Sequence, residues 1–255
     1  MLKINTPVID YRNFRFSKLN TTEFSHLKLL FFWPLFLLVF QYAEHLYQVD
    51  YYHSVHSQLD DCIPFNEWFV IPYMFWFLYL VGMHLYTLLH DVDSFRRLMR
   101  FIIITYTVAV LTYFIFPTCQ DLRPAEFERD NILTRFMAGF YRFDTNTNVC
   151  PSIHVIGSVA VWAAGWNAPN LQKIRWKFGF VAATILICLS TVFLKQHSVV
   201  DIIAALPICV IAYWICYRRK SADVHKPFGN DRMSTSSRRC IRRTVYEKGS
   251  DADRK

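Results

Sequence analysis

The sequence predicts an all-α fold: a polytopic membrane helical bundle of about six transmembrane helices with both termini in the cytoplasm. Hydrophobic residues make up 53% of the 255 positions and aromatic residues 17%. They are gathered in long runs instead of being spread at the spacing of amphipathic helices, which favours a bilayer over a soluble core. Lys and Arg are also concentrated in alternate connections between the runs, as expected for a chain that crosses a membrane repeatedly.

Six apolar runs approach the length of about 20 residues that a spanning helix requires. They comprise residues 29–48, 68–89, 101–117, 152–167, 177–194 and 199–217. The fourth is the shortest and gives the weakest signal. The first follows a segment with five Lys or Arg and precedes no small-residue cleavage site. We therefore expect it to stay as a helix, kinked at Pro34, instead of being removed as a signal peptide.

Basic residues set the predicted orientation, because cytoplasmic connections carry an excess of Lys and Arg. Such residues lie in segment 1–28, in the connection after the second span (Arg96, Arg97 and Arg100) and in the connection after the fourth (Lys173, Arg175 and Lys177). Residues 49–67 contain four acidic residues and no Lys or Arg. The outer face should therefore carry two connections, 49–67 and 118–151, and the turn after the fifth span.

Three regions result: a cytoplasmic segment, 1–28; a six-span domain, 29–217; and a basic tail, 218–255. The tail has twelve Lys or Arg against five Asp or Glu, which leaves +7 of the net +8. Such a run is also found in nucleic-acid-binding chains. Beside a terminal span, however, we expect a disordered cytoplasmic tail that contacts anionic lipid and no nucleic acid.

The seven cysteines predict no zinc or redox site, because no Cys-x-x-Cys pair occurs. Cys188, Cys209 and Cys216 lie in apolar runs and are expected to be small buried hydrophobes. Cys119 and Cys150 bracket the long outer connection, where a disulfide could form in an oxidising compartment. We expect no cofactor.

Three polar islands interrupt the edges of the apolar runs. They are Asp121–Pro124, Pro151–His154 and Lys195–Asp201. The first follows the outer end of the third span, the second opens the fourth span, and the third forms the outer turn before the sixth. The predicted orientation therefore brings all three islands to one face of the membrane.

The islands contain the groups that phosphoryl transfer needs. His197 and Asp201 are four residues apart and share a helical face, so the carboxylate can accept a hydrogen bond from one imidazole nitrogen and leave the other free as a nucleophile. His154 can protonate the leaving oxygen as a general acid. Three further side chains can bind phosphate oxygens: Arg123, Ser152 and Lys195. A metal site made of His154, His197 and Asp201 is the less favoured alternative.

These motifs resemble the three signature motifs of the type 2 phosphatidic acid phosphatase superfamily over about residues 113–205. The family includes lipid phosphate phosphatases and inositol phosphorylceramide synthases. The resemblance implies that Arg123 corresponds to the arginine of the first motif, Ser152 and His154 to the serine and acid histidine of the second, and His197 and Asp201 to the nucleophile and its carboxylate. It also implies a phosphohistidine intermediate that water or an alcohol resolves.

Three positions depart from the family pattern. Phe116 stands where a lysine is usual, Ile153 where glycine is usual, and Thr191 where arginine is usual. Two phosphate-binding cations are therefore missing, and Lys195 is a candidate to replace one. These departures resemble the branch near inositol phosphorylceramide synthase and favour head-group transfer more than the motifs alone do.

The sequence therefore predicts a multi-pass phosphoesterase of the plasma membrane that hydrolyses a lipid phosphate or diphosphate at the outer leaflet. Two alternatives remain open: a phospho-head-group transferase, and a non-catalytic membrane protein that binds anionic headgroups. Glu44 lies near the outer end of the first span. We expect an interfacial position to explain this residue at least as well as a functional role. The sequence does not predict an oligomeric state.

Overall fold

The computed structural model describes residues 8–47 and 49–218, and this part of the chain is mostly helical. The predicted basic tail, from residue 219 onward, lies outside the described residues. The helices are α1 (Phe32–His45), α2 (Gln58–Cys62), α3 (Val70–His90), α4 (Val92–Ile115), α5 (Ile132–Phe143), α6 (Ile153–Asn167), α7 (Ile174–Phe193) and α8 (Val199–Tyr213). Two short strands, β1 (His53–Ser54) and β2 (Thr118–Cys119), pair in parallel.

Five helical segments are long and apolar enough to cross a membrane: Ser25–His45, Glu67–His90, Val92–Ile115, Ile174–Phe193 and Val199–Arg218. The first joins a 3₁₀ turn, Ser25–Phe31, to α1. Pro34 lies in the first turn of α1, directly after the 3₁₀ turn, and proline is tolerated in the first turn of an α-helix. The predicted all-α membrane bundle is therefore confirmed.

Helix α6 is the short fourth run, and it lies inside the bundle. It packs against α3, α4, α7 and α8. Its small residues permit close approach: a Cβ on Gly157 would lie 2.7 Å from the Tyr106 hydroxyl, and one on Gly165 would lie 2.5 Å from the Phe180 ring. Because α6 faces protein instead of lipid, it needs neither the length nor the hydropathy of a lipid-facing span.

The third span begins earlier than predicted. Asp91 caps α4 by accepting a hydrogen bond from the Ser94 amide, and it alone separates α4 from α3. The prediction that Arg96, Arg97 and Arg100 lie in a connection was therefore wrong, because all three lie within α4. An N-cap at Asp91 starts the helix even though the following arginines lower the hydropathy of its first turns.

One end of the bundle carries three connections that contact each other, residues 46–69, 116–152 and 194–198, and we call it the site end. Strand pairing joins the first connection to the second, and the Gln120 side chain donates to the Lys195 carbonyl at 3.1 Å, joining the second to the third. Helix α5, which the sequence analysis did not predict, lies in the second connection and is capped by Asn131. These contacts hold the polar islands together.

Candidate active site

His197 and Asp201 form a buried pair at the start of α8. Ser198 is the N-cap residue, and its backbone N–H donates to Asp201 Oδ2 at 3.0 Å. The same oxygen lies 3.0 Å from His197 Nδ1. Because an ionised carboxylate only accepts, Nδ1 carries the proton and Nε2 retains its lone pair. The cap thus orients the imidazole and leaves Nε2 with a free lone pair.

His154 lies in the first turn of α6 beside this pair. The centroids of the His154 and His197 rings are 5.7 Å apart. The His154 ring also packs on Tyr73 and Trp76, with centroid distances of 4.5 and 4.4 Å. Its Nδ1 is buried and has no hydrogen-bond partner among the described residues. Aromatic packing therefore fixes the ring position and leaves a polar atom unpaired.

Ser152 connects the second and third islands. It is the N-cap of α6, its hydroxyl accepts from the Val155 amide at 3.5 Å, and its own backbone N–H donates to the Asp201 carbonyl at 3.3 Å. The residue is fully buried. In this structure Ser152 holds the start of α6 against the start of α8.

Arg123 holds the loop after α5 against the turn before α8. Its two terminal nitrogens donate to the carbonyls of Tyr141, Asp144 and Thr145 at 2.7 to 3.1 Å and to Gln196 Oε1 at 2.6 Å. An ion pair with Asp144 at 3.4 Å adds to these contacts. Burial lowers the pKa of Arg123, while the Asp144 carboxylate opposes that shift. The guanidinium is thus held in a fixed position against Gln196, the residue that precedes His197.

Lys195 turns away from the histidines. Its backbone has a positive φ of 51°, and its ammonium donates to the Asp60 carbonyl at 2.7 Å. Desolvation lowers the pKa of this ammonium, whereas the nearby acidic residues Asp60 and Asp61 raise it. The structure therefore brings His154, His197 and Asp201 together but does not bring Lys195 to them.

Asp60 is a residue of the site end that sequence reasoning missed. Its side chain is buried and accepts from the Ser198 hydroxyl at 2.6 Å, from the Val199 amide at 2.8 Å and from the Ser57 amide at 2.7 Å. The spacing of Ser57 and Asp60 is that of a capping box and could have located α2. It could not have revealed that the carboxylate also caps α8, far along the chain.

A small cavity opens between the histidines and the site-end loops. Its polar lining includes Glu44, Asp144, Thr145, Thr147, Asn148, Gln196, His154 and His197. Glu44, Asp144 and Gln196 were not predicted as site residues. The sequence offered only a weak signal for Glu44, an ionisable residue near a span end, and none for the other two.

The described residues contain no group of three or more His, Cys, Asp and Glu that could hold a metal ion. Cys119 and Cys150 are free thiols in the structure and form no disulfide. Burial raises the pKa of Cys150 to about 12.

A family model described as the PAP2 superfamily matches residues 97–224. The match contains all three polar islands and extends beyond the range of the motif resemblance at both ends. No curated protein and no solved structure matches the chain. Since the family model covers half of the sequence and includes the histidine pair at the starts of α6 and α8, the chain belongs to the PAP2 superfamily.

Proposed function

We propose that the protein hydrolyses a lipid phosphate or diphosphate through a phosphohistidine at His197. One observation carries this proposal: the buried His197 and Asp201 pair, joined at 3.0 Å, lies beside a second imidazole on another helix. Members of the superfamily are generally phosphatases or phosphotransferases. The proposed activity gives each of the three side chains a separate task.

His197 Nε2 attacks phosphorus, and Asp201 stabilises the positive charge that develops on the imidazole. His154, as imidazolium, gives its proton to the oxygen of the departing lipid alcohol. Water then attacks the phosphohistidine, the bond between phosphorus and nitrogen breaks, and His154 accepts the proton from water. Both imidazoles return to their starting states.

Arg123 and Gln196 are the groups best suited to bind the phosphate. Arg123 supplies positive charge next to the cavity, and Gln196 lines the cavity while accepting from Arg123. Ser152 contributes by positioning α6 rather than by direct contact, since its hydroxyl is buried as a cap. Lys195 would have to release the Asp60 carbonyl before it reached a phosphate.

Head-group transfer is the second candidate, and two departures from the family pattern support it. Phe116 stacks on His53 at a centroid distance of 3.9 Å, and buried Thr191 donates to the Cys188 carbonyl. Neither position supplies the usual cation. A site with fewer cations is better suited to the single charge of a phosphodiester than to the double charge of a monoester.

The assignment is tested by incubating the purified protein in detergent, without added magnesium, with a panel of phospholipids and lipid phosphates. We expect the wild type and the matched control His56→Gln, an exposed histidine, to release phosphate, and His197→Gln to release none. Turnover retained by His197→Gln would exclude this nucleophile. A product that contains an added alcohol would identify transfer, and no release from any lipid would favour a headgroup-binding protein.

We also propose that the site faces the extracytoplasmic side of the plasma membrane. Arg96, Arg97 and Arg100 lie in the first turns of α4, whereas its other end contacts the site through Tyr113, whose hydroxyl donates to the Pro151 carbonyl at 2.8 Å. The positive-inside rule therefore favours a cytoplasmic position for the basic end. Protease access to tags at residues 130 and 255 on intact cells tests this: an accessible tag at 255 would reverse the assignment.

A further inference from the structure

The cavity beside the histidines has an acidic wall. Glu44, from α1, and Asp144, from the loop after α5, both line it. The Thr145 hydroxyl donates to one oxygen of Glu44, but no Lys or Arg among the described residues forms an ion pair with Glu44. Arg123 pairs with Asp144 at 3.4 Å. One carboxylate in the cavity is therefore left without a cation.

The same cavity presents an unused donor. The Gln196 side chain lines the cavity, the residue is only 2% exposed, and its Nε2 has no hydrogen-bond partner among the described residues. Arg123 donates to Oε1 of the same amide at 2.6 Å, which fixes the orientation of the amide group. A buried N–H without a partner costs free energy unless a ligand satisfies it, so Nε2 is available for an oxygen of a bound ligand.

We infer that this cavity binds a phosphate ester that carries an ammonium group, with the phosphate at Gln196 and His197 and the ammonium at Glu44 and Asp144. The phosphoethanolamine head group of a zwitterionic phospholipid has this chemistry. The position of the phosphate rests on His197 as the proposed nucleophile, with a phosphodiester as substrate in place of the lipid phosphate or diphosphate named above. The position of the ammonium rests on the acidic wall.

Electrostatics favour an ammonium over the other groups that a lipid substrate could place there. A second phosphate would face two carboxylates and would be repelled. A neutral polyol would leave Glu44 without a cationic partner in a partly buried cavity. Burial already raises the pKa of Asp144, although Arg123 opposes the shift. An ammonium would compensate the acidic wall.

The corresponding reaction needs water as its only other reactant. His197 Nε2 bonds to phosphorus as the bond from phosphorus to the diacylglycerol oxygen breaks, and His154 protonates that oxygen. Water then attacks phosphorus, the phosphorus–nitrogen bond breaks, and the proton from water returns to His154. The products are diacylglycerol and phosphoethanolamine; an alcohol in place of water gives head-group transfer.

The test compares two soluble probes that differ only by the amine, 2-aminoethylphosphonate and ethylphosphonate. Their carbon–phosphorus bonds resist hydrolysis, so isothermal titration calorimetry on the purified protein measures binding alone. We expect the amine to bind at least about tenfold more tightly to the wild type, since hydrogen bonds to charged groups have this strength. The preference should disappear in Glu44→Gln and persist in Glu128→Gln, an exposed control in the second connection.

Equal binding of the two probes by the wild type would overturn the inference, and so would a preference that survives in Glu44→Gln. If Glu44→Gln does not fold, the wild-type comparison still decides, and Asp144→Asn serves as the second variant. Because binding is measured apart from turnover, an inactive protein that prefers the amine would contradict the proposed hydrolysis but not this site. Phosphate release that depends on His197, without an amine preference, would support the proposed hydrolysis and contradict the ammonium site.

Discussion

Asp201 fixes the tautomer of His197, since its carboxylate accepts from both Nδ1 and the Ser198 amide. Replacement of Asp201 by Asn removes the charge that stabilises the imidazolium in the transition state. We expect turnover to fall by about 10⁴-fold, as it does when Asn replaces the carboxylate of a serine protease triad. Single-turnover kinetics measure the loss, and an unchanged elution profile controls for folding. A loss below about tenfold would contradict this role.

Arg123 also acts through geometry that a simple charge cannot reproduce. Its terminal nitrogens donate to three carbonyls and to Gln196 Oε1. Lys at this position keeps the charge but has no planar fork. We expect Arg123→Lys to lower turnover by at least about 100-fold, measured as phosphate release. Arg135→Lys, at an exposed pair with Asp130, is the matched control and should leave turnover unchanged.

At this scale the sequence predicted contacts within one helix but not contacts between loops. The spacing of His197 and Asp201 was enough to predict their pairing, because a helix places residues four apart on one face. Glu44, Asp144 and Gln196 come from three separate segments, so only the folded chain brings them to one cavity. Their exposure and partners depend on the loop after α5, for which the sequence offered no periodic signal.

Asp60 makes α2 a brace for α8, because its carboxylate accepts from the Ser198 hydroxyl and the Val199 amide. Asp60→Ala would leave the buried Ser198 hydroxyl and the partly buried Val199 amide without this acceptor. We expect a loss of about 1–3 kcal/mol in unfolding free energy, together with reduced turnover because His197 is displaced. Denaturation in detergent measures the first effect. Asp61→Ala, at the exposed neighbour, should change neither, and equal behaviour of the two variants would contradict the brace.

Helix α6 depends on close packing at its small residues. A Cβ at Gly157 would lie 2.7 Å from Tyr106 Oη and 2.9 Å from Trp76 Nε1. We expect Gly157→Ala to destabilise the protein by about 1–3 kcal/mol through overpacking. Gly82→Ala in α3 meets nothing within 4 Å and should be neutral or stabilising. Thermal unfolding in detergent compares them, and a Gly157→Ala variant as stable as Gly82→Ala would contradict this account.

Among the elements, the long apolar runs were predictable because a bilayer requires a minimum length of apolar helix. The ends of the helices were less predictable from the sequence. Asp91 starts α4 ahead of three arginines that hydropathy alone assigns to a connection. Helix α5 escaped prediction because it is short, amphipathic and set within a polar connection, where packing on the bundle rather than composition determines its structure.

For the whole molecule, the strand pair β1–β2 and the contact from Gln120 to Lys195 join the three site-end connections. The family and the membrane class followed from motifs and composition, because both are properties of local sequence. The arrangement of the site end did not, since it depends on contacts between residues far apart in the chain, such as Asp60 with Ser198.

The shortness of α6 bears on the depth of the proposed active site in the bilayer. A helix of 15 residues extends about 22 Å, whereas the hydrocarbon core of a bilayer is about 30 Å thick. His154, in the first turn of α6, can therefore lie below the headgroup plane when the other end of the helix is level with the opposite boundary. A lipid then reaches the imidazoles by sideways diffusion within its leaflet, and turnover should vary with the acyl-chain length of the surrounding bilayer.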